Sequence, residues 1–159
     1  MAGTILIIED DASVRMLLAR VLEDAGYQVF EAANGRQGLG QFYAQPMDLV
    51  LTDLEMPEMN GLELIVELTH AFLHVKVIAM SGCSGDKLQQ ARALGARHTF
   101  GKPLDLATLL HAVQDELQHE QRPQRKEGAT LPDESRDHHQ VLIAESRHGE
   151  HHGQEYMWK

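Results

Sequence analysis

Residues 4–11 read Thr-Ile-Leu-Ile-Ile-Glu-Asp-Asp, four aliphatic side chains in a row followed by three acids. An apolar run without polar alternation suits a strand covered on both faces, as in a parallel sheet with helices packed above and below it. The same kind of run returns at Gln28–Ala32, Leu49–Leu51, Lys76–Met80 and, more weakly, His98–Phe100. Between the runs, Leu17, Leu18, Val21, Leu22 and Ala25 recur at helical spacing, and Gly26 stops that helix as a left-handed cap. Asn34 caps a second helix over Gly35–Gln45, and Gly61–His70 and Asp86–Leu94 supply two more. Asp105 caps the last, Leu106–His119, whose Leu106, Leu109, Leu110, Val113 and Leu117 share one face. The order is (βα) five times, an α/β chain with a doubly wound parallel sheet.

Outward from this core, composition sets the limits. The chain has 159 residues, 43% of them hydrophobic and 24% charged, enough for one domain with its own core and an appendage. After Glu120 the character changes: Pro123, Gly128, Pro132, Gly149 and Gly153 interrupt a polar stretch whose one apolar cluster is Val141–Ala144. The expected organisation is a domain over residues 1–120 and a polar, His-rich tail over 121–159, disordered or loosely structured and too short for an output domain. In the tail, His148 and His152 are four apart and could hold a transition metal with His151 or Glu150, although a solvated extension explains them more simply.

Fourteen Lys and Arg stand against twenty-four Asp and Glu, a net charge of −10 that disfavours nucleic acid or an anionic membrane as a direct ligand. Cys83 is the one cysteine, so no intrachain disulfide forms and a reducing, cytoplasmic setting is expected. No apolar run approaches the roughly 18 residues of a membrane helix. The first basic residue is Arg15, so the charged start of a signal peptide is missing.

In a parallel α/β sheet, ligands bind outside the carboxyl ends of the strands. There the chain places Glu9, Asp10 and Asp11 after the first run, Asp53 after the third, Ser81 after the fourth, and Lys102-Pro103 after the fifth. Singly, each has a bland explanation as a turn or cap residue. Jointly they do not, because carboxylates within about 4 Å of one another repel by on the order of 4 kcal/mol per pair at an effective dielectric of 20. Such a cluster calls for a cation, and hard carboxylate oxygens select Mg²⁺, which works beside phosphate. Lys102 can then meet a phosphoryl oxygen as a point charge, Ser81 can donate to another, and Asp53 is placed to act as a nucleophile.

Four strings carry a resemblance: Ile5-Leu6-Ile7-Ile8-Glu9-Asp10-Asp11 with Arg15 downstream, Leu51-Thr52-Asp53-Leu54-Glu55-Met56-Pro57 with Asn60-Gly61, Ala79-Met80-Ser81-Gly82, and Gly95-Ala96 leading to Lys102-Pro103. In order and spacing, residues 4 to about 119 resemble the receiver domains of bacterial two-component response regulators, in the stand-alone form of the chemotaxis regulator. The resemblance implies a flavodoxin-like strand order 2-1-3-4-5. It also implies a phosphoacceptor protein rather than an enzyme acting on an outside substrate: Asp53 takes a phosphoryl group from a sensor histidine kinase or histidine phosphotransfer protein, loses it again by its own chemistry, and signals to a downstream protein through changed binding. By the same resemblance Asp10 and Asp53 bind Mg²⁺ directly, Glu9 binds it through water, and the main-chain carbonyl of Glu55 adds a ligand. Ser81 and Lys102 hold the phosphoryl oxygens, and the Pro103 peptide matches the family's cis bond. With a doubly charged phosphoryl group, Glu9, Asp10 and Asp53 sum to −4, against +3 from Mg²⁺ and Lys102.

The chain departs from the family pattern in places. The first acid is Glu9 where the family often has Asp. Thr99 stands three residues before the lysine, where the resemblance implies an aromatic ring that follows the hydroxyl of Ser81. Phe100 is one residue away and so faces the other side of its strand. Glu55 flanks the path of a hydrolysing water and bears on phosphate lifetime, or is simply a solvated loop acid. Gly61 is expected to supply a turn conformation that other residues resist. Cys83 reads as an ordinary loop thiol, and Met16 as surface packing or a partner contact. Two further functions compete: a small Mg²⁺-dependent aspartate phosphatase, weakened because Glu55-Met56-Pro57 offers no second Asp as general acid, and a receiver-like scaffold whose tail does the binding.

Overall fold

The computed structural model describes residues 2–83, 85–119 and 121–133. Five strands form one parallel sheet: β1 (Thr4–Ile8), β2 (Gln28–Ala32), β3 (Leu49–Asp53), β5 (Val77–Ser81) and β6 (His98–Gly101), in the order β2-β1-β3-β5-β6. A two-residue strand β4 (Phe72–Leu73) precedes β5, and β7 (Gln124–Arg125) pairs with it antiparallel in a separate ribbon. Counting only the main sheet, the order is the 2-1-3-4-5 expected.

The helices are α1 (Ala12–Asp24), α2 (Gly35–Ala44), α3 (Gly61–Ala71), α4 (Gly85–Leu94) and α5 (Leu106–Leu117). Alternate side chains of the central strands enter opposite layers. Leu6, Ile8, Val50, Val77 and Ala79 pack with Leu39, Phe42, Leu64, Ile65, Leu68 and Ala91 beneath α2, α3 and α4. Ile5, Ile7, Leu49, Leu51, Ile78 and Met80 pack with Leu18, Ala19, Leu22, Leu109, Ala112 and Val113 beneath α1 and α5. Burial on both faces is why these strands are uniformly apolar in sequence.

Helix ends follow the local chemistry. The side chains of Asp11, Asn34, Asn60 and Asp105 each accept main-chain N–H groups of the helices they precede. Gly26, at φ 96°, closes α1: its N–H bonds to the Glu23 carbonyl at 2.9 Å, and the Tyr27 N–H reaches the Leu22 carbonyl at 3.1 Å. Leu17, expected on the apolar face of α1, is 53% exposed beside Met16, because the buried stripe runs through Leu18, Ala19 and Leu22.

Beyond residue 120 the chain returns to the domain. The Lys126 N–H bonds to the Ala71 carbonyl at 2.7 Å, its ammonium meets the Thr69 carbonyl at 3.2 Å, and the Tyr43 hydroxyl donates to the Thr130 carbonyl at 3.1 Å. The ribbon caps an aromatic corner in which Phe72 meets Phe42 and Tyr43 edge-on, with centroids 4.8 and 5.0 Å apart. This corner lies at the end of α3, on the edge of the sheet opposite the strand carboxyl ends. The tail histidines and Val141–Ala144 lie outside the described residues.

Candidate functional site

The chain runs from β1 to β2 on one side and then crosses to β3 on the other, so a crevice opens between the carboxyl ends of β1 and β3. Glu9, 1% exposed, follows β1; Asp53, 3% exposed, ends β3; Ser81 is buried at the end of β5; and Lys102 follows β6. Asp10 is exposed at the mouth. One carboxylate oxygen from each of Glu9, Asp10 and Asp53 lies within 4.8 Å of the others. Asp11, beside them in sequence, faces the helix instead, accepting from the Ser13 and Val14 N–H groups.

The Lys102 ammonium stands 3.0 Å from Glu9 Oε2 and 3.4 Å from Asp53 Oδ2. Its peptide to Pro103 is cis. Burial, and next the charge of Glu9, push the Asp53 carboxyl up to about 7, against the pull of Lys102. Burial alone would lower the Lys102 ammonium, but its hydrogen bond to Glu9 and the charges of Asp53 and Glu9 hold it above its ordinary value. One ammonium among three carboxylates leaves an unbalanced negative site, and its donors are hard oxygens. That set fits a divalent cation such as Mg²⁺.

Two supports complete the rim. Arg15 donates to the Glu9 carbonyl at 2.7 Å and reaches Glu31 at 3.4 Å, tying the acidic loop to β2. Gly61 starts α3 against the end of β3, and its role differs from the expected turn conformation. The positive-φ glycines among the described residues are Gly26, Gly95 and Gly128. What Gly61 supplies is room: a Cβ there would run into the Asp53 carbonyl oxygen and lie 2.8 Å from Leu54 Cα.

Glu55 does more than its backbone position suggests. Its side chain accepts a hydrogen bond from the Ser81 hydroxyl, and its Oε2 is 3.4 Å from the Gly82 N–H. Burial would raise this carboxyl, but the bonds it accepts, that from Ser81 foremost, hold it below the usual range. Lys87 of α4 lies 4.0 Å from it. Neither contact has a sequence signal, since both depend on the path of two loops. Thr99 pairs with Ala79 and so faces the α4 side of the sheet, whereas Phe100 pairs with Met80 and packs on the α1 and α5 side. Cys83 is exposed, its N–H on the Ser81 hydroxyl oxygen at 3.1 Å.

The model of the response regulator receiver domain matches residues 5–114. The chain belongs to that family. It is 37% identical over 114 residues to sporulation initiation phosphotransferase F of Bacillus subtilis, covering 71% of this chain and 92% of that one. Chemotaxis protein CheY of Thermotoga maritima is 32% identical over 115 residues, covering 71% and 96%. Among solved structures, Vibrio cholerae chemotaxis protein CheY4 superimposes with a TM-score of 0.65 at 28% identity, over 72% of this chain and 98% of that one. The receiver domain is therefore a two-component response regulator and a phosphoacceptor, and neither the phosphatase nor the inert scaffold is favoured. Receiver domains typically bind Mg²⁺ at an acidic site, and Glu9, Asp10 and Asp53 form such a cluster here. No helix among the described residues is long and apolar enough to cross a membrane.

Proposed function

We propose that Asp53 is the phosphoacceptor of this receiver domain and that Ser81 and Lys102 hold the incoming phosphoryl oxygens. One observation carries the reading: Lys102 sits 3.4 Å from the buried Asp53 carboxylate at the crevice where the sheet reverses direction. An Asp53 oxygen attacks the phosphorus of a phosphohistidine. The P–O bond forms as the P–N bond breaks, and the departing imidazole keeps the electron pair and takes a proton. Glu9, Asp10, Asp53 and the Glu55 carbonyl would hold Mg²⁺. When bound, the ion neutralises charge gathering on the phosphoryl oxygens. Water later attacks the phosphorus, the bond to the Asp53 oxygen breaks, and inorganic phosphate leaves as Asp53 returns to its free carboxylate.

The donor belongs to a sensor histidine kinase or a histidine phosphotransfer protein. Its docking surface is the exposed Met16 and Leu17, beside a groove of about 350 Å³ lined by Val14, Leu17, Leu18, Pro103, Leu104 and Leu106, with Lys102 at its edge. An apolar helix face laid in this groove brings a histidine to the rim. Output passes through changed binding of a downstream protein at α4, β6 and α5. The acidic charge and lone cysteine support a cytoplasmic protein that does not bind nucleic acid directly.

A small phosphodonor tests the assignment. With Mg²⁺ it should label the protein, and an Asp53→Asn variant, or excess chelator, should abolish the label. Labelling that survives either change would refute the reading.

A further inference from the structure

The β3–α3 loop sets a further carboxylate, besides Glu9 and Asp10, near Asp53. Glu55 takes the Ser81 hydroxyl on Oε1, faces the Gly82 N–H with Oε2 at 3.4 Å, and has the Lys87 ammonium 4.0 Å away. A hydroxyl, a main-chain amide and a cation are the partners an oxyanion wants. The Ser81 hydroxyl has one hydrogen to give, so while Glu55 holds it, a phosphoryl oxygen on Asp53 cannot.

We propose that the Glu55 side chain is an internal placeholder for the phosphoryl group, a positioning residue that must release Ser81 before the phosphorylated state can form. This rests on Asp53 being the acceptor. Once displaced, the carboxylate has Lys87 within reach. That lysine belongs to the helix with the fewest buried residues: of ten in α4 only Ala91 is buried, against eight of eleven in α3. Exchange of Glu55 from Ser81 to Lys87 therefore links the rim to α4. It does so with Thr99 on β6 and Phe100 packed on the other side of the sheet, so no ring from that strand is needed.

The test is a double-mutant cycle on the full chain, read as the affinity for beryllofluoride with Mg²⁺ by calorimetry, so that a phosphoryl mimic competes with the placeholder. Glu55→Ala should tighten binding about tenfold, equivalent to about 1.4 kcal/mol. Ser81→Ala should weaken it, and in that background Glu55→Ala should change it by less than about twofold. A bulk charge effect of Glu55 on the anion would act alike in both backgrounds, so equal gains, or no gain at all, overturn the proposal. If beryllofluoride does not bind the parent, or binds Asp53→Asn equally well, the acceptor assignment falls and the placeholder with it. Binding that requires Asp53 but lacks the Glu55–Ser81 coupling removes the placeholder alone.

Discussion

Lys102 is nearer to Glu9 than to Asp53, its ammonium 3.0 Å from Glu9 Oε2 and 3.4 Å from Asp53 Oδ2. Both carboxylates are almost wholly removed from water, so the lysine is the chief compensation for two buried negative charges. It therefore serves the resting site as a counter-ion, a duty separate from the proposed one of meeting a phosphoryl oxygen.

Lys102→Met separates these two duties. Acceptance of phosphoryl from a small donor should fall by about a hundredfold, the scale for losing one preorganised charge at a reacting centre. Mg²⁺ affinity by calorimetry should be unchanged or tighter, because a competing cation has gone. An equal loss of metal binding and acceptance would mean that the lysine only holds the loop together.

Without metal, stability should decline with rising pH. Asp53 has an ordinary value of 3.8 and a folded value of about 7, so the folded state binds the proton more tightly. Its stabilising contribution is complete below 3.8 and is lost as pH rises through about 7. Thermal melts in chelator at about pH 5 and pH 8 should show a drop of several degrees that Asp53→Asn largely removes. Equal drops in parent and variant would contradict the assignment.

Gly61→Ala should lower folding stability by about 2 kcal/mol, since the two atoms nearest the added carbon, the Asp53 carbonyl oxygen and Leu54 Cα, are backbone and cannot swing aside. The urea midpoint reads this directly. No shift would show that α3 can back away from Asp53.

Lys76 is buried on the opposite edge, where its ammonium donates to the Glu116 carbonyl at 2.8 Å and to the His119 carbonyl, closing the end of α5. Lys76→Met leaves those carbonyls without that donor and should cost about 2 kcal/mol in chemical unfolding. A neutral outcome would mean that water replaces the ammonium.

Much of this arrangement was legible in the amino-acid order because the sheet is parallel and covered on both sides. Uninterrupted apolar runs mark its strands, and the residue following each run must lie on one rim. Glu9, Asp53, Ser81 and Lys102 were reachable by that argument alone. Contacts set by loop paths were not. The grip of Glu55 on Ser81 joins residues 26 apart through two connections without periodicity. The Phe72–Leu73 pairing with Gln124–Arg125 involves two residues on each side, too few for a strand pattern to register. Gly61 was recognisable as constrained, but whether by torsion or by crowding depends on how closely α3 approaches β3.

The ribbon of β4 and β7 has a practical corollary. Residues 124–130 fasten against the aromatic corner at the end of α3, on the far side of the molecule from the acidic crevice. Gln124 and Arg125, both exposed on this ribbon, offer positions for a fluorophore at the opposite end of the strands from Asp53, so binding over the crevice can be followed there without crowding it.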